Sequence, residues 1–193
     1  MRPDFALGVD STWDRLLPYC DAWWLWHDML DHLPAMKYAF PEILPTFAVV
    51  QPWDYNNVNN AIRYGYQLLV GPVRYSTSMA DEQMRPISAY IAELLRIRDE
   101  LKETIFLGDF LDVLEASVEP HPCLKYNVHR HPGTGKRACV VVNQGMTPLE
   151  TRVAFEGGGG PVRVYRPFEP LRRARSPVAL ALPGERLAIV VEE

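Results

Sequence analysis

Cysteine is scarce in this sequence, which has three cysteines among 193 residues. Cys20, Cys123 and Cys139 lie far apart and lack the close spacing of a metal-binding set, and their odd number argues against a disulfide framework. We therefore expect each cysteine to be a small buried hydrophobic residue. Neither a disulfide scaffold nor a cysteine-based metal site is indicated.

An excess of one charge and long apolar runs are also lacking. The formal net charge is −4 and 48% of the residues are hydrophobic. This composition favours a folded chain, and the negative net charge provides no electrostatic attraction to nucleic acid. No stretch approaches the roughly 20 apolar residues of a membrane span. Residues 1–10 lack the basic end and apolar run of a signal peptide. We expect a cytoplasmic protein that binds neither nucleic acid nor membranes.

The first part of the chain alternates strand and helix signals. Residues 5–9 form a short apolar run that ends at Asp10, which predicts a buried strand entering a loop. A helix starting at Asp21 is compatible with the next segment. Residues 56–64 carry apolar side chains at helical spacing, and residues 66–70 predict a strand that a Gly-Pro pair ends.

The clearest predicted element is a helix over residues 81–105, in which apolar side chains recur on one face and charged side chains cover the other. Pro86 falls in its first turns, where the missing N–H donor is tolerated. Strands that alternate with helices indicate a parallel α/β arrangement.

After residue 118 the composition changes to short β-type runs separated by glycine and proline. The predicted strands cover residues 123–128, 138–142, 149–155, 162–165, 178–182 and 187–191. Their regular spacing, about ten residues, favours an antiparallel β-sandwich. Residues 132–135 and 157–160 predict glycine-containing hairpin connections. We therefore divide the chain into residues 1–117 and residues 118–193.

Two further motifs favour ordinary structural roles. Residues 133–136 read Gly-Thr-Gly-Lys, but a phosphate-binding loop requires an earlier glycine, Ser or Thr after the lysine, and a following helix. Potential metal ligands occur in two groups, His27, Asp28, Asp31 and His32, and His129 with His131. Histidines five apart on a helix do not converge, and two histidines beside a turn do not make a site. We expect surface histidines, no metal and no cofactor.

Acidic residues next to aromatic residues point instead to carbohydrate. The acidic residues are Asp10, Asp21, Glu42 and Asp54, and the aromatic residues near them include Trp13, Trp24, Trp26, Tyr38 and Trp53. Glycoside hydrolysis uses two carboxyl groups around an oxocarbenium-like transition state, and aromatic faces stack on the apolar faces of sugars. For each carboxylate taken singly, a capping or turn role remains the favoured interpretation.

Three segments carry a family resemblance: Leu-Leu-Pro-Tyr-Cys-Asp at residues 16–21, Tyr-Ala-Phe-Pro-Glu-Ile at 38–43, and Arg-Tyr-Gly-Tyr-Gln-Leu-Leu-Val-Gly-Pro at 63–72. They resemble the late part of large TIM-barrel glycoside hydrolases of the α-galactosidase-like and endo-α-N-acetylgalactosaminidase-like kind. In such enzymes a long helix like residues 86–101 precedes a carboxy-terminal β-sandwich.

The resemblance implies a fold and a set of roles. Residues 1–117 would be the carboxy-terminal portion of a (β/α)8 barrel, and residues 118–193 the sandwich. Asp10, at a strand exit, would match the acid/base. The expected substrate-binding residues are Trp13, Asp21, Trp24, Trp26, Tyr38, Glu42, Trp53 and Asp54.

Chain length gives the same picture, because a closed eight-stranded barrel takes about 200 residues or more and the first region is far shorter. We expect the missing amino-terminal barrel portion, or self-association, to cover its open faces. The leading hypothesis is a glycoside-hydrolase-like segment that is inactive alone. The alternatives are a noncatalytic carbohydrate-binding module and a structural or assembly module.

Overall fold

The computed structural model describes residues 8–10, 19, 22–25, 44–72 and 78–193. The described part begins with a parallel sheet. Its strands are β1 (Gly8–Asp10), β2 (Ala22–Leu25), β3 (Leu44–Val50) and β4 (Gln67–Pro72). They lie in chain order β1-β2-β3-β4, and each neighbouring pair is parallel. The predicted strands at residues 5–9 and 66–70 overlap β1 and β4, which confirms them in part.

The helix expected from Asp21 is wrong within the described residues, because Ala22–Leu25 is a strand. Tryptophan favours strands, and β2 is hydrogen-bonded to β1 on one side and to β3 on the other. Strand β3 was not predicted at all. Its partners come from distant parts of the sequence, so its strand conformation depends on tertiary contacts.

Two α-helices occur among the described residues, α1 (Tyr55–Arg63) and α2 (Arg85–Ile105). Both were predicted. A short 3₁₀ turn, Glu82–Met84, precedes α2, and Pro86 lies at the start of α2 as expected. Helix α1 ends where Gly65 adopts a positive φ of 69°. The amide of Tyr66 donates to the carbonyl of Ala61 at 2.8 Å, a helix-ending motif that turns the chain into β4.

Two antiparallel sheets follow. The strands are β5 (Asp109–Asp112), β6 (Ala116–Val118), β7 (Leu124–Arg130), β8 (Arg137–Asn143), β9 (Leu149–Phe155), β10 (Pro161–Tyr165), β11 (Arg172–Arg175), β12 (Val178–Leu182) and β13 (Arg186–Glu192). One sheet has the order β11-β10-β13-β8-β7-β5 and the other β12-β9-β6. All six strands predicted after residue 118 are present, which confirms the β-sandwich.

Two strands that precede residue 118, or end on it, belong to these antiparallel sheets. β5 pairs with β7, and β6 pairs with β9. The antiparallel region therefore starts near residue 109, although the division into residues 1–117 and 118–193 stays a prediction. Of the two expected hairpins, residues 132–135 do connect the paired strands β7 and β8. Residues 157–160 instead cross from β9 in one sheet to β10 in the other.

Alternation along the strands produces two cores that share one sheet. On β8, Ala138, Val140 and Val142 join the core formed with the helices. Cys139 and Val141, on the opposite face, join the core between the two sheets. A strand buried on both faces reads as a continuous apolar run, and this explains why β8 is so readily found in the sequence. No helix among the described residues has the length and apolar character to cross a membrane.

Candidate functional site

The predicted carbohydrate residues divide into those the structure describes and those it does not. Trp13, Asp21, Trp26, Tyr38 and Glu42 lie outside the described residues. Asp10 ends β1 at the register position opposite Trp24 on β2. Trp53 and Asp54 lie in the turn that joins β3 to α1. Since β1, β2 and β3 are parallel neighbours, their carboxyl ends meet at one edge of the sheet, and this edge is the candidate site.

The turn after β3 presents an aromatic side chain to solvent. Trp53 is 69% exposed, which is unusual for a large aromatic residue. Asp54 fixes the turn: the backbone N–H of Gln51 donates to Asp54 Oδ2 at 2.6 Å, and the side chain of Asn57 donates to Asp54 Oδ1 at 3.3 Å. The carboxylate therefore holds the backbone that carries the Trp53 indole.

Burial raises the pKa of the Asp54 carboxyl, and the hydrogen bonds from Gln51 and Asn57 only partly oppose it. Each oxygen of a carboxylate has two acceptor positions, so Asp54 can still accept a hydrogen bond from a ligand hydroxyl. The chemistry available here is stacking on Trp53 combined with hydroxyl binding by Asp54. The geometry does not by itself provide a pair of catalytic carboxylates.

The beginning of α1 is held against the sandwich. Asn56 donates to the carbonyl oxygen of Gln144 at 3.0 Å, and Asn59 donates to the carbonyl oxygen of Glu185 at 3.0 Å. Tyr90 of α2 donates from its hydroxyl to Asn59 Oδ1 at 2.6 Å. These bonds join the two turns of the sandwich near residues 144 and 185 to the helix that follows Trp53. The sandwich thereby positions the candidate site.

A second polar cluster, which was not predicted, lies at the other end of α1. Arg63 is 4% exposed. Its guanidinium donates to Asn127 Oδ1 at 2.6 Å, to Asn60 Oδ1 at 3.1 Å and to the Tyr64 hydroxyl at 2.6 Å. Asn127 in turn donates to Asp112 Oδ1 at 2.7 Å. The available sequence signal was the four asparagines of α1, since asparagine is a poor helix former unless its side chain has a specific partner.

The histidine expectations need one correction. His129 is a fully buried residue, not a surface residue, and its Nε2 donates to the carbonyl oxygen of Arg63 at 2.9 Å. His131 lies beyond the end of β7, and its Nδ1 accepts from the backbone N–H of Gly133 at 3.0 Å. His27, Asp28, Asp31 and His32 lie outside the described residues. Within the ranges that the structure describes, no three His, Cys, Asp or Glu side chains form a metal-binding group.

Comparison with known proteins gives structural neighbours only. No family model matches the chain, and no curated protein matches it either. Solved structures do match, among them several glycoside hydrolases. A noncanonic maltogenic α-amylase from Thermotoga neapolitana is similar over 97% of this chain and 54% of its own, with a TM-score of 0.60 and 7% identity.

Two further neighbours are glycoside hydrolases with other activities. A GH30 endoxylanase from Clostridium papyrosolvens C71 is similar over 92% of this chain and 50% of its own, with a TM-score of 0.56 and 11% identity. A GH27 β-L-arabinopyranosidase from Geobacillus stearothermophilus covers 92% and 46%, with a TM-score of 0.52 and 10% identity. The chain thus has a glycoside-hydrolase-like fold and spans about half the length of these enzymes.

Proposed function

We propose that this chain is the carboxy-terminal segment of a TIM-barrel glycoside hydrolase, and that it contributes carbohydrate-contacting residues but does not turn over substrate alone. One observation carries the proposal. Four parallel strands in unbroken spatial order, β1 to β4, are followed by an antiparallel sandwich, and enzymes about twice as long match almost the whole chain. Consecutive parallel strands that neighbour one another are the arrangement of a (β/α)8 wall.

The proposed roles follow from position along that wall. Active sites of such barrels lie at the carboxyl ends of the strands, where Asp10 ends β1 and Trp53 follows β3. Asp10 is the proposed acid/base, and Trp24 and Trp53 are proposed stacking residues. Trp13, Asp21, Trp26, Tyr38 and Glu42 complete the proposed substrate-binding set with Asp54. The sequence segments at residues 16–21, 38–43 and 63–72 support the α-galactosidase-like and endo-α-N-acetylgalactosaminidase-like class.

The proposal requires further strands to close the wall. Four strands of the described sheet are half of the eight that a barrel needs. We propose that an amino-terminal barrel portion, or a second copy of the chain, supplies the others. The second carboxylate of a hydrolytic pair would come from that portion.

The first prediction concerns activity. We expect the isolated chain to release no aryl group from a panel of aryl α- and β-glycosides, because one carboxyl group cannot serve both as the acid and as the base or nucleophile. Chromogenic assays would measure this, with Asp10→Asn as the matched variant. Robust turnover that Asp10→Asn abolishes would show that the chain is a complete enzyme and would refute the inactive-segment proposal.

A second candidate function is glycan binding without catalysis, and the exposure of Trp53 favours it. We expect Trp53→Ala to weaken binding to a glycan by about tenfold or more, if a sugar ring stacked on the indole contributes as a nucleobase stacked on an aromatic side chain does, on the order of 1–3 kcal/mol. Isothermal titration calorimetry against a glycan panel would measure it. Because Trp53 is exposed, its removal should leave the unfolding midpoint unchanged, and Tyr19→Ala provides an equally exposed aromatic control.

A further inference from the structure

An open groove lies where the edges of the two antiparallel sheets approach each other, far in sequence from Trp53. Its volume is about 420 Å³, within the range of small-ligand sites, about 300–1,000 Å³. The floor is formed by Ala179 and Ala181, whose small side chains point outward from β12. Three arginines, Arg152, Arg166 and Arg172, line the groove. Arg152 is on β9, Arg172 is on β11 and Arg166 follows the end of β10, so the fold brings them together.

The arginines meet around Ala179. Arg152 on β9 is the register partner of Ala179. Arg172 on β11 reaches across from the other sheet and donates to the Ala179 carbonyl oxygen at 3.1 Å. Both side chains are exposed, and no carboxylate among residues 78–193 forms an ion pair with either. The guanidinium groups of Arg152 and Arg172 thus lie on either side of Ala179, and most of their N–H groups remain available to bind an anion.

Arg166 also lines the groove. Its Nη1 lies 3.3 Å from Glu169 Oε2, so its guanidinium is already paired with a carboxylate. The guanidinium donors that an anion in the groove would meet are therefore those of Arg152 and Arg172.

The charged residues are unevenly placed in the groove. Three arginines and two glutamates line it, although the full chain has a net charge of −4. The two acidic residues do not lie between Arg152 and Arg172. Glu150 is opposite Ala181. Glu119 lies on the far side of Arg152, and its backbone N–H donates to the Arg152 carbonyl oxygen. The end of the groove at Ala179 is therefore positive.

Protection of a sheet edge does not explain the whole cluster. Charged residues on β11 would discourage edge-to-edge pairing, because β11 is the outer strand of its sheet. Arg152, however, is on β9, the central strand of the other sheet, and Arg166 lies beyond the end of β10. Those two positions have no edge to protect.

We propose that this groove binds a carboxylate-bearing sugar unit of an acidic polysaccharide. Guanidinium groups match carboxylates in a two-pronged geometry, and the small exposed side chains of Ala179 and Ala181 leave the floor of the groove open beside Arg152 and Arg172. The choice of a glycan among polyanions rests on the proposed function. The groove itself is a second site, separate from Trp53.

The experiment uses the full chain and polygalacturonate as the probe, with fully methyl-esterified polygalacturonate as the uncharged match. Affinity electrophoresis and calorimetry should show binding that esterification removes. We expect the double variant Arg152→Gln/Arg172→Gln to weaken binding by about tenfold or more, since hydrogen bonds to charged groups contribute about 1.5–3 kcal/mol. Arg85→Gln/Arg96→Gln, which removes two exposed arginines from α2, should bind as the unmodified chain does.

Three results would contradict the proposed function of the groove. They are no binding of polygalacturonate, an equal loss of affinity in both double variants, and binding of a DNA oligonucleotide as tight as that of polygalacturonate. The last result would show that the surface recognises negative charge alone. If the double variant is unstable in thermal melting, the single variant Arg152→Gln serves in its place. If neutral glycans bind through Trp53 and polygalacturonate does not bind, only the groove proposal is refuted. If polygalacturonate binds and neutral glycans do not, only the proposed Trp53 site is refuted.

Discussion

Arg137 and Glu192 form an ion pair in the sandwich in which two guanidinium nitrogens contact the two carboxylate oxygens. Arg137 Nε donates to Glu192 Oε2 at 2.8 Å and Arg137 Nη2 to Glu192 Oε1 at 2.7 Å, while the Arg137 backbone N–H also donates to Oε2 at 3.0 Å. The same guanidinium donates to the carbonyl oxygens of Glu115 and Glu156. One side chain therefore ties β8 and β13 to the ends of β6 and β9, which belong to the other sheet.

This pair should make stability depend on pH. Burial alone would raise the pKa of Glu192, but hydrogen bonds from the Arg137 side chain and backbone and the charge of Arg137 outweigh it, so the pKa lies below its ordinary value of 4.5. A lowered folded-state pKa contributes stability above the ordinary pKa, and that contribution is lost as the pH falls through the folded-state pKa.

We therefore predict that Glu192→Gln lowers the free energy of unfolding at neutral pH by about 1.5–3 kcal/mol, because hydrogen bonds to charged groups contribute that much. Urea unfolding at neutral pH and below pH 4.5 would measure it. The difference between Glu192→Gln and the unmodified chain should shrink at the lower pH. Glu150→Gln, at an exposed position on β9, is the control, and an equal difference at both pH values would contradict the prediction.

At the scale of elements, the junction between α1 and β4 depends on one glycine. Gly65 has a φ of 69°, and a Cβ atom there would meet the Ile105 carbonyl oxygen as well as His129 Cε1 at 3.1 Å. The obstruction is backbone at the end of α2, which cannot rotate away as a side chain can. Gly65 therefore allows α1, α2 and β7 to approach one another closely.

Gly65→Ala should destabilise the protein by more than about 2 kcal/mol, since a left-handed conformation alone costs a non-glycine residue roughly 1–2 kcal/mol and the clash adds to it. Thermal and urea unfolding would measure the loss. Gly159→Ala is the matched control, because a Cβ at Gly159 would meet nothing within 4 Å. Equal stability of the two variants would show that the junction relaxes without cost.

Elements with strong local signals were predictable, and those without were not. Helix α2 was found because its apolar side chains keep a helical period over 21 residues. Strands β9 and β12 have the predicted bounds, and more buried residues alternate with more exposed ones along both; in β12 the alternation is between Val or Leu and Ala. Strand β11 reads Arg-Arg-Ala-Arg and carries no strand signal of its own. It becomes a strand through its pairing with β10.

At the scale of the whole molecule, the main feature is a parallel sheet whose outer strands can pair with further strands. β1 and β4 are the outer strands of the four described, and an outer strand presents N–H and C=O groups that can pair with another chain. Each Å² of apolar surface left in water also costs about 25 cal/mol. A partner that supplies further strands would remove both costs.

We accordingly predict that the isolated chain self-associates. Sedimentation velocity over a range of protein concentrations should show dimers or larger species, whereas addition of the proposed amino-terminal barrel portion should convert them to a one-to-one complex. A monomer at every concentration, stable in thermal unfolding, would contradict the prediction. It would mean that the first part of the chain covers its own sheet.

The sequence by itself determined the elements that depend on near neighbours: the two described helices and most strands of the sandwich. Only the tertiary structure decided which distant residues meet. The burial of Arg63 against Asn127, the pairing of β5 and β6 with later strands, and the meeting of Arg152 with Arg172 at Ala179 all depend on register between strands far apart in the chain. The physical reason is that periodicity reports which face of an element is apolar, whereas long-range pairing decides what lies against that face.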